Sequence, residues 1–148
     1  MPTKIIGCGG RDFLVTTPVA TWIRLVFHLL QVDECVDGGA RGADTGFHVL
    51  AIKDGVDSVR FFANWVRYDK TAGPIRNKKQ LSYLLWATNT APPGTTPLVI
   101  ALPGGRGTEN MIAQAVGVGC PVLAPTENDF RRLPITAEEL YHAHFCHR

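Results

Sequence analysis

The chain alternates short apolar runs with segments of helical periodicity. Apolar residues recur three, four, seven and eight positions apart between Val19 and Leu30, which predicts an amphipathic helix with Thr17 as its cap and Pro18 at its first position. Further helices are predicted from Ala43 to a stop at Gly55, from near Pro74 through Leu85, around 111–115, and from Thr136 onward. The apolar runs predict strands over 4–8, 34–37, 59–63, 98–102 and 121–124.

These strands are continuous apolar runs, and helices separate them. That order is typical of a parallel sheet covered by helices on both faces, so we expect a doubly wound α/β fold with a sheet of about five strands. No repeat or domain boundary interrupts residues 1–148, which we interpret as a single domain. The segment 88–97, TNTAPPGTTP, is predicted to be an exposed connection, and Asp33-Glu34 and Asp57-Ser58 to be solvent-facing turns.

Composition argues against several classes of function. The formal net charge of +2 is too small to favour nucleic acid or an anionic membrane as the partner. No stretch approaches the roughly 20 apolar residues that a membrane span needs, and the first residues enter a strand too early for a signal peptide. The four cysteines lack C-x-x-C spacing, which favours a reducing, cytoplasmic location.

Three predicted strands end in glycine-rich segments that each contain an arginine: GGRD at 9–12, GGARGAD at 38–44 and PGGRGT at 103–108. Glycine lets main-chain N–H groups approach a ligand, and a helix that starts directly afterwards adds unpaired N–H groups and a positive dipole end. Arginine supplies a planar donor fork for phosphate or carboxylate. Because the carboxyl ends of parallel strands share one edge, with strands 1 and 4 expected to be neighbours, the three loops predict a composite anion site.

Two familiar phosphate motifs are absent from these loops. The Walker pattern needs a lysine after its last glycine, and none follows a glycine here. The dinucleotide pattern G-x-G-x-x-G fails because Asp12 occupies the place of the third glycine counted from Gly7 and Gly9. ATP hydrolysis and nicotinamide chemistry are therefore not expected, and no cofactor is predicted.

The segments VDGGARGAD, FFANW, AGPIRNKKQL and ALPGGRGTENM together resemble the YspA-related branch of the SLOG superfamily. That superfamily also contains the Lonely Guy phosphoribohydrolases, the DNA-processing protein DprA and the molybdenum-cofactor carrier proteins. The resemblance runs from GGRDF to Pro121-Val122, and it implies a Rossmann-like three-layer fold, a nucleotide-type ligand and a homo-oligomer. It implies that Gly104, Gly105, Gly107 and Thr108 hold the phosphate, with contributions from the second loop and from Arg76-Asn77.

The sequence departs from the Lonely Guy pattern P-G-G-x-G-T-x-x-E, whose glutamate assists cleavage of an N-glycosidic bond. Met111 stands at that position here, and Glu109 would point elsewhere on the helix. Cleavage of this kind needs a carboxylate near the reacting carbon or the attacking water. The candidate catalytic carboxylates are Asp12, Asp44 and Glu109.

Each candidate also has a structural interpretation. Arg11 and Asp12 could simply pair with each other at the surface. Asp44 could have no role beyond stabilising the positive end of the helix dipole. Trp65 could stack on a base or be half-buried beside a loop, whereas Arg76 opens a helix where a cation is unfavourable unless an anion is near. The candidate binding residues are Gly9, Gly10, Arg11, Gly38, Gly39, Ala40, Arg41, Gly42, Trp65, Arg76, Asn77, Pro103, Gly104, Gly105, Arg106, Gly107 and Thr108.

The tail HAHFCHR raises the possibility of a zinc or nickel site. Its potential ligands, at 142, 144, 146 and 147, would be spread around a helix, so no metal site is predicted. The sequence therefore favours a protein that binds a nucleotide or nucleotide-derived phosphorylated ligand as a sensor, carrier or sequestering protein. The alternatives are a nucleoside 5′-monophosphate N-glycosidase and, less favoured because no aromatic stacking series is evident, a DprA-like protein that binds single-stranded DNA.

Overall fold

Five parallel strands form one sheet in the computed structural model of the chain, which describes residues 2–134 and 136–144. The strands are β1 (Thr3–Cys8), β2 (Val32–Asp37), β3 (Asp57–Arg60), β4 (Thr96–Ala101) and β5 (Val122–Leu123). The helices are α1 (Thr17–Leu29), α2 (Ala43–Lys53), α3 (Trp65–Tyr68), α4 (Ala72–Thr90), α5 (Arg106–Gly117), α6 (Glu127–Arg131) and α7 (Ala137–His144), and a 3₁₀ turn spans Asp69–Thr71.

The strand order is β3-β2-β1-β4-β5, and every pair is parallel. Helices α1, α2, α6 and α7 bury apolar side chains on one face of the sheet, whereas α4 and α5 do so on the other. The expected Rossmann-like three-layer fold is therefore confirmed. The chain leaves β1 toward one face and β4 toward the other, so the loops after these neighbouring strands diverge and open a crevice at the switch point.

The periodicity of α1 explains why it packs as it does. The residues from Val19 to Phe27 that recur at helical spacing are buried against the sheet, and the Trp22 ring meets Phe130 of α6 edge to face with centroids 5.7 Å apart. The helix begins one residue earlier than predicted: Thr16 is the extended residue before it, and Thr17 is already helical. Such a shift is within the ordinary variation of helix ends.

Several predicted element boundaries are wrong. Helix α4 continues to Thr90, past the predicted start of the exposed connection, and the Thr88 and Thr90 hydroxyls are satisfied by carbonyls one turn earlier. The predicted turns at 33–34 and 57–58 are strand residues, since Glu34 pairs with Asp57 at the edge of the sheet, where polar side chains can face solvent. The helices α3 and α6 were not predicted, and both are only about one turn long.

No helix in the described part of the chain is long and apolar enough to cross a membrane. Cys8, Cys35 and Cys120 are buried free thiols. The described residues contain no group of three histidine, cysteine or acidic side chains that could hold a metal ion. Of the tail residues considered as metal ligands, Cys146 and His147 lie outside the described residues.

Candidate functional site

A cavity lies at the carboxyl edge of the sheet, in the crevice between the loops after β1 and β4. This main cavity has a volume of about 900 Å³. A side cavity of about 370 Å³ adjoins it and shares Arg11, Ala40, Trp65 and Arg76 with it. The prediction that all three glycine-rich loops meet at one edge, with β1 beside β4, is confirmed.

The structure brings most of the candidate residues to these two cavities. The main cavity is lined by Gly9, Gly10, Arg11, Asp12, Ala40, Asp44, Trp65, Arg76, Asn77, Pro103, Gly104, Gly105, Arg106, Gly107 and Thr108. The side cavity adds Gly38, Gly39 and Arg41. Gly42 and Glu109 line neither cavity, and Glu109 is exposed on α5. The lining also includes side chains that were not among the candidates: Cys8, Phe13, Lys70, Pro74, Gln80 and Asn110 in the main cavity, and Phe62 and Ala63 in the side cavity.

The start of α5 presents uncapped N–H groups to the main cavity. The first bond that closes a turn of this helix runs from the Glu109 N–H to the Gly105 carbonyl, 3.0 Å, so the N–H groups of 106–108 precede the ladder. No side chain caps the helix. A Cβ atom at Gly105 or Gly107 would meet no protein atom within 4 Å. The backbone here is open to the cavity and carries the partial positive charge that favours an anion.

Two other glycines are required by packing between the loops. Gly42 has a φ of 76°, and a side chain there would collide with the carbonyls of Gly10 and Arg11. The Ala43 N–H donates to the Gly10 carbonyl at 3.1 Å, so the close approach is fixed by a hydrogen bond. Gly104 similarly leaves no room between Thr108 and the Gly10 backbone. These glycines shape the cavity by holding its loops together.

Arg76, near the start of α4, links the second loop to the helix layer. Its Nη1 donates to the Gly38 carbonyl at 2.7 Å, and its Nε donates to the Asn77 Oδ1 at 3.1 Å. Burial lowers its pKa, but a guanidinium stays protonated at neutral pH. No carboxylate oxygen of the described residues lies within 4.0 Å of its nitrogens. The cavity therefore contains a positioned cation that makes no direct ion pair among the described residues, although the Asp44 carboxyl lies close enough to favour its charge.

Asp44 is a buried carboxyl at the same cavity. It is 5% exposed, and its Oδ2 accepts the Ala40 N–H at 3.3 Å. Burial raises its pKa to about 6, against the opposing effects of the Ala40 N–H and the nearby Arg76 charge. A carboxyl group with such a pKa can give or take a proton near neutral pH, which suits general acid or base chemistry.

A buried ion pair at the ends of β2 and β3, which the sequence analysis missed, holds the second loop in place. The carboxylate of Asp37 is fully buried, and its Oδ1 accepts the Gly39 N–H at 2.7 Å and the Arg60 Nε at 2.9 Å. Gly39 adopts a φ of 72° against the ring of Phe62, and the Arg60 guanidinium lies 5.4 Å from the centre of that ring. An aspartate directly before two glycines at a strand exit was the available signal.

The first loop makes different pairs from those considered in the sequence. Asp12 pairs with Arg41 of the second loop at 2.9 Å and not with its neighbour Arg11, because the two loops lie side by side. Both partners are exposed, so the pair contributes little to stability. The Arg11 guanidinium lies 4.9 Å from the centre of the Trp65 ring at the cavity rim. The side chain of Trp65 is 46% exposed, and its ring is already in contact with this cation.

The fold and the cavity define a doubly wound α/β protein with a ligand-sized crevice at the switch point of its sheet. Compared with known proteins, the sequence matches no family model and no curated protein. The resemblance to the SLOG superfamily therefore stays a prediction.

Proposed function

We propose that the protein binds a nucleotide or a nucleotide-derived phosphorylated ligand in the main cavity, as a sensor, carrier or sequestering protein. The observation that carries the proposal is the uncapped start of α5, whose N–H groups of residues 106–108 open into the cavity that the Arg76 guanidinium also lines. A phosphate group matches this donor set in charge and in its several acceptor oxygens.

The dimensions of the cavity support a ligand larger than inorganic phosphate. A volume of about 900 Å³ lies toward the upper end of the usual range for small-molecule sites. The rim offers the exposed ring of Trp65, whose face can stack on a base. This combination favours a mononucleotide or a derivative of one, and it agrees with the ligand class that the SLOG resemblance implies.

Hydrolysis of the N-glycosidic bond of a nucleoside monophosphate is the second candidate function. It is favoured by one observation: Asp44, buried and with a pKa raised to about 6, lines the same cavity as Arg76 and the N–H groups at the start of α5, which we call the anion cradle. Asp12 is exposed and paired with Arg41, and Glu109 lies outside the cavity, so neither fits this role as well. In this proposal Asp44 would stabilise the developing oxocarbenium ion or activate water.

Native mass spectrometry of the protein purified from cells, followed by identification of released small molecules, tests the binding proposal directly. We expect a phosphorylated nucleoside compound at a stoichiometry near one per chain. Calorimetric titration with nucleoside monophosphates should then give measurable affinity for at least one of them. If no phosphorylated compound is retained and none binds at millimolar concentration, the proposal is wrong.

Prolonged incubation separates a binding protein from a hydrolase. Nucleoside monophosphates are incubated with the purified protein and separated by chromatography. Intact nucleotides alongside measurable binding favour a sensor or carrier. Release of free base that stops in the Asp44→Asn variant, which should still bind nucleotide, favours the hydrolase.

A further inference from the structure

The side cavity is lined by basic side chains, and none of its described lining residues is acidic. Arg11, Arg41 and Arg76 line it together with glycines, alanines and the aromatic rings of Phe62 and Trp65. A cleft lined by charge of one sign concentrates the electric field and attracts ions of the opposite sign. The side cavity should therefore attract an anion independently of the N–H groups at the start of α5, which line only the main cavity.

The three arginines come from three separate elements. Arg11 follows β1, Arg41 follows β2, and Arg76 lies near the start of α4. Burial lowers the pKa of Arg76, the Asp44 carboxyl opposes this, and the charge of Arg11 lowers the pKa further. The guanidinium groups of Arg11 and Arg76 are thus close enough to interact. Like charges repel at short range, so this convergence is unfavourable unless an anion lies among them.

The guanidinium groups keep donors available for a ligand. That of Arg11 makes no ion pair with a described residue, and it lies over the face of the Trp65 ring. Arg76 donates through Nε and Nη1 within the protein, and its Nη2 donates to no described residue. Arg41 pairs with Asp12, but both side chains are exposed, so a ligand can replace the pair at little cost. Each donor fork suits a phosphate or a carboxylate group.

The basic groups extend beyond the anion cradle. Arg106 and Lys70 line only the main cavity, Arg41 lines only the side cavity, and Arg11 and Arg76 line both. The side cavity, at about 370 Å³, is within the size range of a small-molecule site by itself. A single phosphate group at the start of α5 would leave this second basic space without an anion.

We propose that the side cavity is a second anion site, in which Arg11 and Arg41 bind a second phosphate or carboxylate group of the ligand. The ligand then has two anionic groups joined by a spacer, one in the anion cradle and one in the side cavity. The proposal rests on the proposed function for the first group and goes beyond it for the second, because a nucleoside monophosphate has only one. The exposed rings of Phe62 and Trp65 offer apolar contact, which favours an organic spacer over a second free ion.

Titrations of the protein followed by NMR test the proposal with three series of alkyl compounds of matched chain length: monophosphonates, α,ω-diphosphonates and ω-phosphonocarboxylates. We expect the best diphosphonate to bind about tenfold more tightly than the matched monophosphonate, the scale of one hydrogen bond to a charged group. The gain should peak at one chain length, because a linked group helps only when its linker spans the two sites. A similar gain for the phosphonocarboxylate supports a site for either group, and a gain for the diphosphonate alone supports a phosphate site.

Arg41→Gln should remove most of the gain of the diphosphonate. The variant should fold, because the pair of Arg41 with Asp12 is exposed and contributes little to stability, and its melting temperature checks this. Arg24→Gln is the matched control, since Arg24 also forms a surface pair with an aspartate, Asp54, but lines neither cavity. The control should keep the gain.

The possible failures are distinguishable. Equal affinity for the monophosphonates and every diphosphonate, or a gain that does not depend on chain length, overturns the second site and leaves the anion cradle standing. A gain that survives Arg41→Gln, or one that Arg24→Gln removes equally, also overturns it. If no phosphonate, inorganic phosphate or nucleotide binds, the proposed function is wrong as well.

Discussion

The buried carboxyl of Asp44 should make the stability of the protein depend on pH in a direction opposite to that of an ion-paired aspartate. Its pKa is raised from 3.8 to about 6, so the folded state holds this proton more tightly than the unfolded chain does. Stability from this group is therefore fully present below about pH 4 and is lost as the pH rises to about 6. Above that pH the Asp44 carboxyl of the folded protein is ionised, and the buried charge lowers the free energy of unfolding.

The size of the effect follows from the shift. A displacement of about two pKa units corresponds to about 3 kcal/mol between the two protonation states. Because the side chain is 5% exposed, solvent screens little of it. Asp44→Asn removes the titration and keeps an oxygen that can accept the Ala40 N–H. We expect the variant to be more stable than the wild-type protein by up to about 3 kcal/mol at pH 8, and to show little or none of this gain at pH 4.

Urea unfolding at one-unit steps from pH 4 to pH 8 measures this difference. Asp12→Asn is the control, since Asp12 lies at the same cavity but is exposed and pairs with Arg41 at the surface. Its effect should stay within about 1 kcal/mol at every pH. If Asp44→Asn destabilises the protein equally at pH 4 and pH 8, Asp44 is ionised throughout and the acid–base role proposed for it is wrong.

Three further substitutions test the site. Arg76→Ala should weaken phosphate binding in calorimetry by about 1.5–3 kcal/mol. The control Arg24→Ala, which breaks a surface pair with Asp54, should leave the affinity unchanged. Equal affinities of the two variants would contradict a role of Arg76 in binding phosphate. Gly105→Asp should abolish binding by repulsion at the start of α5, while Gly117→Asp at its other end should retain it, and loss in both would indicate a general charge effect. Gly42→Ala should lower the free energy of unfolding by more than about 1 kcal/mol, because its φ is 76°, and an unchanged urea midpoint would refute the close contact.

The layered fold was predictable because its signals are local. The spacing of apolar residues from Val19 to Phe27 predicts a helix with one buried face, and that face is buried. Continuous apolar runs predict a parallel sheet, and glycine-rich segments at their ends predict that the loops gather at one edge. The rule for connections in doubly wound sheets then puts the loops after β1 and β4 on the two sides of one crevice. Each of these inferences depends on residues close together in the sequence.

The side-chain network was not predictable for the same reason. Asp37 and Arg60 are 23 residues apart, and the Asn77 amide meets Gly107 across 30. No periodicity indicates such a pair, because each contact depends on how two elements pack. The one-turn helix α3 was missed because four residues are too few to establish a helical pattern. The polar side chains proposed to contact a ligand are therefore the part of the candidate site that sequence patterns identify least well.

The arrangement of charge in the cavity restricts the ligand more than the glycine loops alone do. A site for nucleic acid or another polyanion would repeat basic groups along a groove, whereas this cavity has a buried carboxyl, Asp44, among the basic side chains that line it. We expect a uniform anion to be repelled at this carboxyl. A ligand that has an anionic group at one end and hydroxyl donors beside it satisfies both sets, and a sugar phosphate has that distribution. Asp44 on α2 thus links the binding proposal and the hydrolase alternative to one side chain.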